Sequence, residues 1–270
     1  MCLASTSGGS GSLNKPIFPQ ESTIARAPHP PLTAYYASEN ERRGFVGTLF
    51  DNTASDYDRI DRLLALGSGP WYRNQALQRA GLRSGMRVID IGIGTGLVAR
   101  EAVKLTGDPA LVIGVDPSVG MMAQAQLPGV QLVEGRAEAI PFPDASFDFL
   151  SMGYALRHLS DIDAAFREFH RVLKPGGRLC LLEITKPERA WSRMLLKTYM
   201  RGVVPVLARL TGCSAESAKL WRYYWDTIEA CVPPSGVIDT LVEAGFTGAK
   251  RHIETGALSI LAEYQAVKSA

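Results

Sequence analysis

Nine consecutive residues constrain this chain more than any others: Val88-Ile89-Asp90-Ile91-Gly92-Ile93-Gly94-Thr95-Gly96. A short apolar run bounded by glycines reads as a buried strand, and Leu97–Lys104 behind it reads as a helix. Glycines in such a turn let a ligand approach bare backbone and meet the free N–H groups at the helix start. A dinucleotide-binding turn would be GxGxxG, but Leu97 stands where its third glycine belongs. The spacing is GxGxG, with Asp90 two residues before the first glycine. That suits a nucleoside carrying a sulfonium and an amino-acid tail better than a pyrophosphate. From these residues alone, a turn that holds no ligand stays open.

Strand-like and helix-like runs then alternate. Leu111–Val115, Val130–Val133, Phe147–Leu150 and Arg178–Leu182 read as strands, and Gly120–Gln126 and Ile162–Val172 as helices. This βαβ alternation predicts a mostly parallel sheet with helices on both faces. Asp116 closes the second strand, 24 residues beyond Gly92. There a carboxylate can accept hydrogen bonds from both ribose hydroxyls. An N-cap ahead of Pro117-Ser118 is the alternative for Asp116. Before the glycine turn, Phe45, Leu49, Phe50 and Tyr57 recur at helical steps and predict a helical cap over 34–82. After the fifth strand, 187–232 reads as a helical insertion rich in aromatics. A helix at Val237–Ala244 and strands at Ala249–Glu254 and Leu258–Ala266 complete a seven-stranded α/β domain over 34–270.

Residues 1–33 carry a Ser/Gly cluster, several prolines and few large apolar groups. Such a leader cannot offset its ordering entropy and is expected to be flexible. The 270 residues are 46% apolar, enough for a sizeable core. Twenty-nine basic against 27 acidic residues leave a net charge of +2 with no basic block, so no nucleic-acid partner is expected. No apolar run approaches the roughly 20 residues of a spanning helix, and no basic amphipathic helix announces membrane contact. Cys2, Cys180, Cys213 and Cys231 lie far apart, with no CxxC pair. A metal site or disulfide framework is therefore not expected, and a reducing cytoplasm is.

Further motifs carry a resemblance. Glu134-Gly135-Arg136-Ala137-Glu138-Ala139-Ile140-Pro141-Phe142-Pro143 precedes Phe147-Asp148, and Arg171-Val172-Leu173-Lys174-Pro175-Gly176-Gly177 ends the helix before the fifth strand. With the glycine turn and Asp116, these make the chain resemble the Rossmann-like class I S-adenosylmethionine-dependent methyltransferases. More narrowly, it is similar to the UbiE/COQ5 family, which C-methylates quinol precursors of ubiquinone and menaquinone. Phe50-Asp51-Asn52-Thr53-Ala54-Ser55-Asp56-Tyr57-Asp58 matches that family's entry segment. Ala155-Leu156-Arg157-His158 stands where the family has Gly-Leu-Arg-Asn, and Leu182-Glu183-Ile184-Thr185-Lys186-Pro187 where it has Leu-Glu-Phe-Ser-Lys-Pro. Trp221-Arg222-Tyr223-Tyr224-Trp225-Asp226-Thr227-Ile228 stands at its Tyr-Arg-Tyr-Leu-Ala-Glu-Ser-Ile. The rings of Tyr224 and Trp225 replace a Leu-Ala pair and are expected to narrow an acceptor pocket.

The resemblance implies S-adenosylmethionine as cofactor, contacted by Asp90, Gly92, Gly94, Thr95, Gly96, Asp116, Pro117, Met121, Arg136 and Ala137. Arg136 replaces an acid or amide near the adenine and cannot accept its amino proton, which leaves the Ala137 N–H to read the ring. The expected acceptor is a small aromatic or quinol-like molecule. His158, at the carboxyl end of the fourth strand, is the expected base. Arg157 and Arg222 are expected to orient the acceptor or stabilise its oxyanion, and Tyr223 to join them from the aromatic stretch. Tyr35 and Tyr36 could fold over the site as a lid. An N- or S-methyltransferase holding an amine, thiol or phospholipid head group in an aromatic cage is the rival reading. A silent binding module is another. A homodimer is compatible with all of these.

Overall fold

The computed structural model of the protein describes residues 25–64, 67–210, 212–254 and 260–270. The expectations for residues 1–24, and for a last strand starting at Leu258, lie outside them. The strands are β1 (Val88–Ile91), β2 (Val112–Asp116), β3 (Gln131–Glu134), β4 (Phe147–Gly153), β5 (Leu173–Ile184), β6 (Phe246–Ile253) and β7 (Leu261–Lys268). They form one sheet in the order β3-β2-β1-β4-β5-β7-β6. The first five run parallel, and β7 runs antiparallel to both β5 and β6. The helices are α1 (Glu39–Leu64), α2 (Gly69–Arg79), α3 (Leu97–Thr106), α4 (Val119–Ala123), α5 (Ile162–Val172), α6 (Ala190–Thr198), α7 (Val204–Leu210), α8 (Ala215–Ala230) and α9 (Pro234–Glu243). A π-helical turn, Tyr199–Val203, joins α6 to α7.

Period-two alternation along β1 sends side chains to opposite layers. Ile89 and Ile91 join α5 and α9 in one core layer, while Val88 joins α2 and α3 in the other. On α5, Ile162, Ala165, Phe166, Phe169 and Val172 are buried at three- and four-residue steps. Each large apolar side chain buried this way contributes about 1.5–3 kcal/mol. Asp161 caps the helix, accepting from the Asp163 and Ala164 N–H groups at 3.0 and 3.2 Å. A third cluster lies outside the sheet layers and joins α1 to α6, α7 and α8 through Leu49, Leu196, Val204, Trp221, Tyr224 and Trp225.

Strand order reverses between β1 and β4, because the chain builds outward through β2 and β3 and then returns to add β4 and β5. A crevice opens at the carboxyl ends of the strands at such a point. The main departure from the sequence expectation is at the leader. Arg26, Pro28 and His29, placed in a flexible 1–33, are held against the fold. The Arg26 carbonyl accepts from Ile162 N–H at 2.9 Å, and the Pro28 carbonyl from Val232 N–H at 2.7 Å. His29 is buried, with Nε2 3.1 Å from the Arg157 carbonyl and 3.0 Å from Arg42 Nη2. Composition favours flexibility there; these long-range partners overcome it.

Candidate active site

A cavity of about 310 Å³ lies at the switch point, over the carboxyl ends of β1, β2 and β4. Its floor is the glycine turn. Gly92, Gly94 and Gly96 have φ of 67°, 54° and 84°, a left-handed region that only glycine enters freely. Gly96 does not face the cavity. It starts α3, and a Cβ there would sit 2.4 Å from Leu127 Cδ1. Of the ten residues expected at the cofactor, the other nine line the cavity.

Two carboxylates dominate its electrostatics. Asp116 accepts from Gly94 N–H and Ser118 N–H, each at 2.8 Å. The N-cap of α4 is Ser118, whose hydroxyl accepts from Met121 N–H. Burial pushes the Asp116 carboxyl up to about 6 against those two bonds. Asp90 accepts from the Ser151 hydroxyl at 2.7 Å through Oδ1, while its Oδ2 is buried without a partner. Burial, with the Asp116 charge adding to it, pushes Asp90 up to about 7. Such an orphaned acceptor beside a second acid is a site for a cationic donor.

Helix α1 supplies what sequence reasoning missed. Arg43, Val46, Gly47, Phe50 and Tyr57 line the cavity from one face of that helix, at steps of three, four and seven. The signal was present in the periodicity of the cap, but periodicity marks a buried face without saying whether protein or ligand covers it. Two acids of the entry segment tie α1 to the cofactor loops. Asp58 accepts from the Thr95 hydroxyl and, at 3.2 Å, from Arg100 Nη1. Asp51 accepts from the Ser118 hydroxyl and, at 3.1 Å, from Gly120 N–H. Tyr154, which follows β4, also lines the cavity and has a φ of 61°. A non-glycine residue held there is strained backbone concentrated at a site.

The residues expected at the acceptor separate. His158 lines the cavity beside Phe50, Tyr57 and Tyr224. Both its ring nitrogens are buried without a hydrogen-bond partner. Its ring stacks on those of Tyr223 and Tyr224, 5.5 Å from each, and meets Phe50 edge-on at 5.2 Å. Burial, then the charges of Arg157 and Arg42, hold its pKa well below the usual histidine value. Arg157 lies behind this layer. It is buried, paired with Glu183, and its guanidinium sits 4.6 Å from the Tyr224 ring centroid. Tyr223 is buried among Tyr35, Tyr36 and Phe45 and backs the His158 ring without lining the cavity. Arg222 is exposed on α8 and does not line it.

Of the two bulky rings on α8, only Tyr224 narrows the cavity; its hydroxyl lies 2.8 Å from that of Tyr57. Trp225 turns away into the third cluster, where its Nε1 donates to Glu229 at 3.1 Å. Tyr35 and Tyr36 are not a lid. Tyr35 donates to Asp226 at 2.7 Å, Tyr36 is buried against Phe45 and Tyr223, and neither lines the cavity.

The sheet order, the glycine turn at the switch point and the acid ending β2 define a class I S-adenosylmethionine-dependent methyltransferase. The likeness to solved structures agrees at the level of the fold. A methyltransferase from Thermotoga maritima, described as a possible histamine N-methyltransferase, superposes with a TM-score of 0.58. It is 23% identical, over 82% of this chain and 99% of its own. Sequence comparison is more specific. The model of the ubiE/COQ5 methyltransferase family matches residues 36–268, and the chain belongs to that family. A ubiquinone/menaquinone biosynthesis C-methyltransferase from Hahella chejuensis is 33% identical over 196 residues, 70% of this chain and 78% of the relative. Its counterpart from Coxiella burnetii is 29% identical over 221 residues, 79% and 87% of the two chains. No helix among the described residues is long and apolar enough to cross a membrane.

Proposed function

We propose that the protein methylates a ring carbon of a quinol-like aromatic acceptor, with His158 as the base. The observation that carries this is His158: its ring lines a cavity walled by aromatic rings, both its ring nitrogens are buried without a hydrogen-bond partner, and burial with the nearby arginine charges lowers its pKa. A buried polar group left without a partner costs stability unless a ligand supplies one. A phenolic hydroxyl of a quinol is such a partner, and taking its proton leaves an electron-rich ring carbon beside it.

The residues fit the cofactor. The orphaned Oδ2 of Asp90 suits the ammonium of the amino-acid tail, and Asp116 the ribose hydroxyls. Ala137 would read the adenine with Arg136 beside it, and Pro117 and Met121 would pack against the nucleoside. Thr95 acts by holding Asp58, and Gly96 by turning the chain into α3. When bound, S-adenosylmethionine supplies an electrophilic methyl group on its sulfonium. The protein then has to orient the acceptor, exclude water and remove one proton. Phe50, Tyr57 and Tyr224 flank the acceptor ring, and His158 takes the phenolic proton; once the methyl group is on the ring carbon, that carbon's C–H proton is lost and the hydroxyl re-forms by tautomerisation, so one proton is released overall. Arg157, held by Glu183 and stacked on Tyr224, is a positioning residue that fixes the Tyr224 ring from behind.

That last feature separates this reading from the aromatic-cage alternative. A cationic amine would meet a Tyr224 ring already engaged by the Arg157 guanidinium. Arg222 has no part in the reading. The buried free thiol of Cys180 suits the reducing cytoplasm expected from the sequence.

The test is to incubate the protein with methyl-labelled S-adenosylmethionine and a host-cell extract, then partition the products. Label in the organic phase, comigrating with a methylated quinol, is the expected result. Label confined to the aqueous phase, with cofactor binding intact, would replace the quinol by a polar acceptor.

A further inference from the structure

The helical arm formed by α6, the π turn and α7 has two faces. Ser192, Leu196, Met200, Val204 and Ala208, spaced four apart, are buried, and all but Ser192 belong to the cluster shared with α8. A four-residue spacing drifts by about 40° per step around a regular α-helix. The π turn at Tyr199–Val203 underwinds the arm and takes up part of that drift, which helps keep one stripe inward. Trp191, Met194, Leu195, Val203, Val206 and Leu210 are left exposed on the same arm, Met194 at 72% and Leu210 at 79%. An apolar ridge of this size on a soluble surface marks an interaction site.

Charge says what kind. Between Glu188 and Leu210, five basic side chains stand against Glu188 alone, a net of +4 in a chain whose total is +2. Lys197 and Arg201 lean toward α8, onto Glu229 at 3.6 Å and Asp226 at 3.3 Å. Arg189 and Arg209, both exposed, make no ion pair among the described residues, and neither does the half-buried Arg193. We infer that this arm is a membrane-surface docking face, with the exposed ridge seated among acyl chains and the basic side chains on anionic headgroups. Apolar ridge, basic flank and an indole are the elements of an interfacial helix. A two-fold contact through the ridge would bring the same basic flank of each copy together, whereas anionic lipid neutralises it. The sequence reading found no basic amphipathic helix here. Apolar residues fall on both faces of the arm, and only packing against α8 shows which of them are left outside.

The inference stands on the surface alone and is read without turnover, so it and the acceptor reading can fail separately. The test is co-sedimentation of the full chain with phosphatidylglycerol–phosphatidylcholine vesicles and with phosphatidylcholine alone. Binding to the anionic vesicles, weakened by salt, is expected. Trp191 fluorescence in a Trp71→Phe background should shift to the blue on binding, because Trp221 and Trp225 are already buried. L195E/V206E and R189E/R209E should each lower the bound fraction about tenfold. Val242→Glu, the same change at an exposed site on α9, should leave it unaltered. An unchanged thermal shift with S-adenosylhomocysteine shows that the variants are folded. No preference for anionic vesicles would overturn the inference. So would a chain that is dimeric without lipid and becomes monomeric in L195E/V206E, which would assign the ridge to a second copy.

Discussion

The two halves of the cavity are built differently. The cofactor half is backbone and short loops: three left-handed glycines, the end of β2 and the start of α4, all within a few residues of a sheet strand. The acceptor half is side chains brought together from α1, the segment after β4 and α8. The first half depends on local geometry that few substitutions can preserve. The second depends on packing, which tolerates changes of shape and so can change specificity while leaving cofactor binding intact.

The sharpest way to separate the halves is His158→Gln. Turnover should fall by about 10²–10⁴-fold, while titration with S-adenosylhomocysteine gives an unchanged affinity. An equal loss of both would mean that His158 belongs to the cofactor half. Asp116→Ala should do the reverse, lowering cofactor affinity about 100-fold through the loss of charge-assisted hydrogen bonds. Calorimetry would show it, and a loss under about threefold would take the ribose role away from Asp116.

The third effect is of pH. Asp90 and Asp116 titrate at about 7 and about 6, above the ordinary carboxylate range, because of burial. Their charged forms are what a cationic ligand needs, so S-adenosylmethionine affinity should rise about tenfold between pH 5.5 and 8. For the ligand-free protein the sign reverses. With raised folded values, both groups hold protons that the unfolded chain has released, so stability falls as pH rises from about 4 through 7. Thermal melts with and without ligand across that range should therefore diverge, and parallel curves would break the assignment. The smallest effect belongs to Tyr224→Phe. Losing the hydroxyl partner of Tyr57 should cost about 1 kcal/mol of stability, with cofactor affinity unchanged in the same titration.

The cofactor half was legible in the sequence because its signals are local. A strand, a glycine turn and a helix start lie within ten residues, and Asp116 follows one βα unit later. Strand ends were less legible. β5 extends from Leu173 to Ile184, well beyond the apolar run at Arg178–Leu182, because Leu173 pairs with Phe147 of β4 across an irregularity in the ladder, and Glu183 and Ile184 pair with Ala262 and Leu261 of β7. The acceptor half was only partly legible. His158 could be placed by its distance from β4, whereas Arg222, an arginine in an equally suggestive context, lies on the outer face of α8.

By itself, then, the sequence determined the class of fold, the glycine turn and the acids facing it, since period, turn chemistry and spacing act over a few residues. Tertiary structure decided that Tyr224 and not Trp225 faces the cavity, and that Arg157 spends its charge on Glu183. It also decided that His29 straps the end of the leader onto Arg42 and the Arg157 carbonyl. Each of these joins residues far apart in the chain. Their energies come from burial and partner geometry that no local pattern encodes, and so they exist only once the sheet, the cap and the insertion have packed.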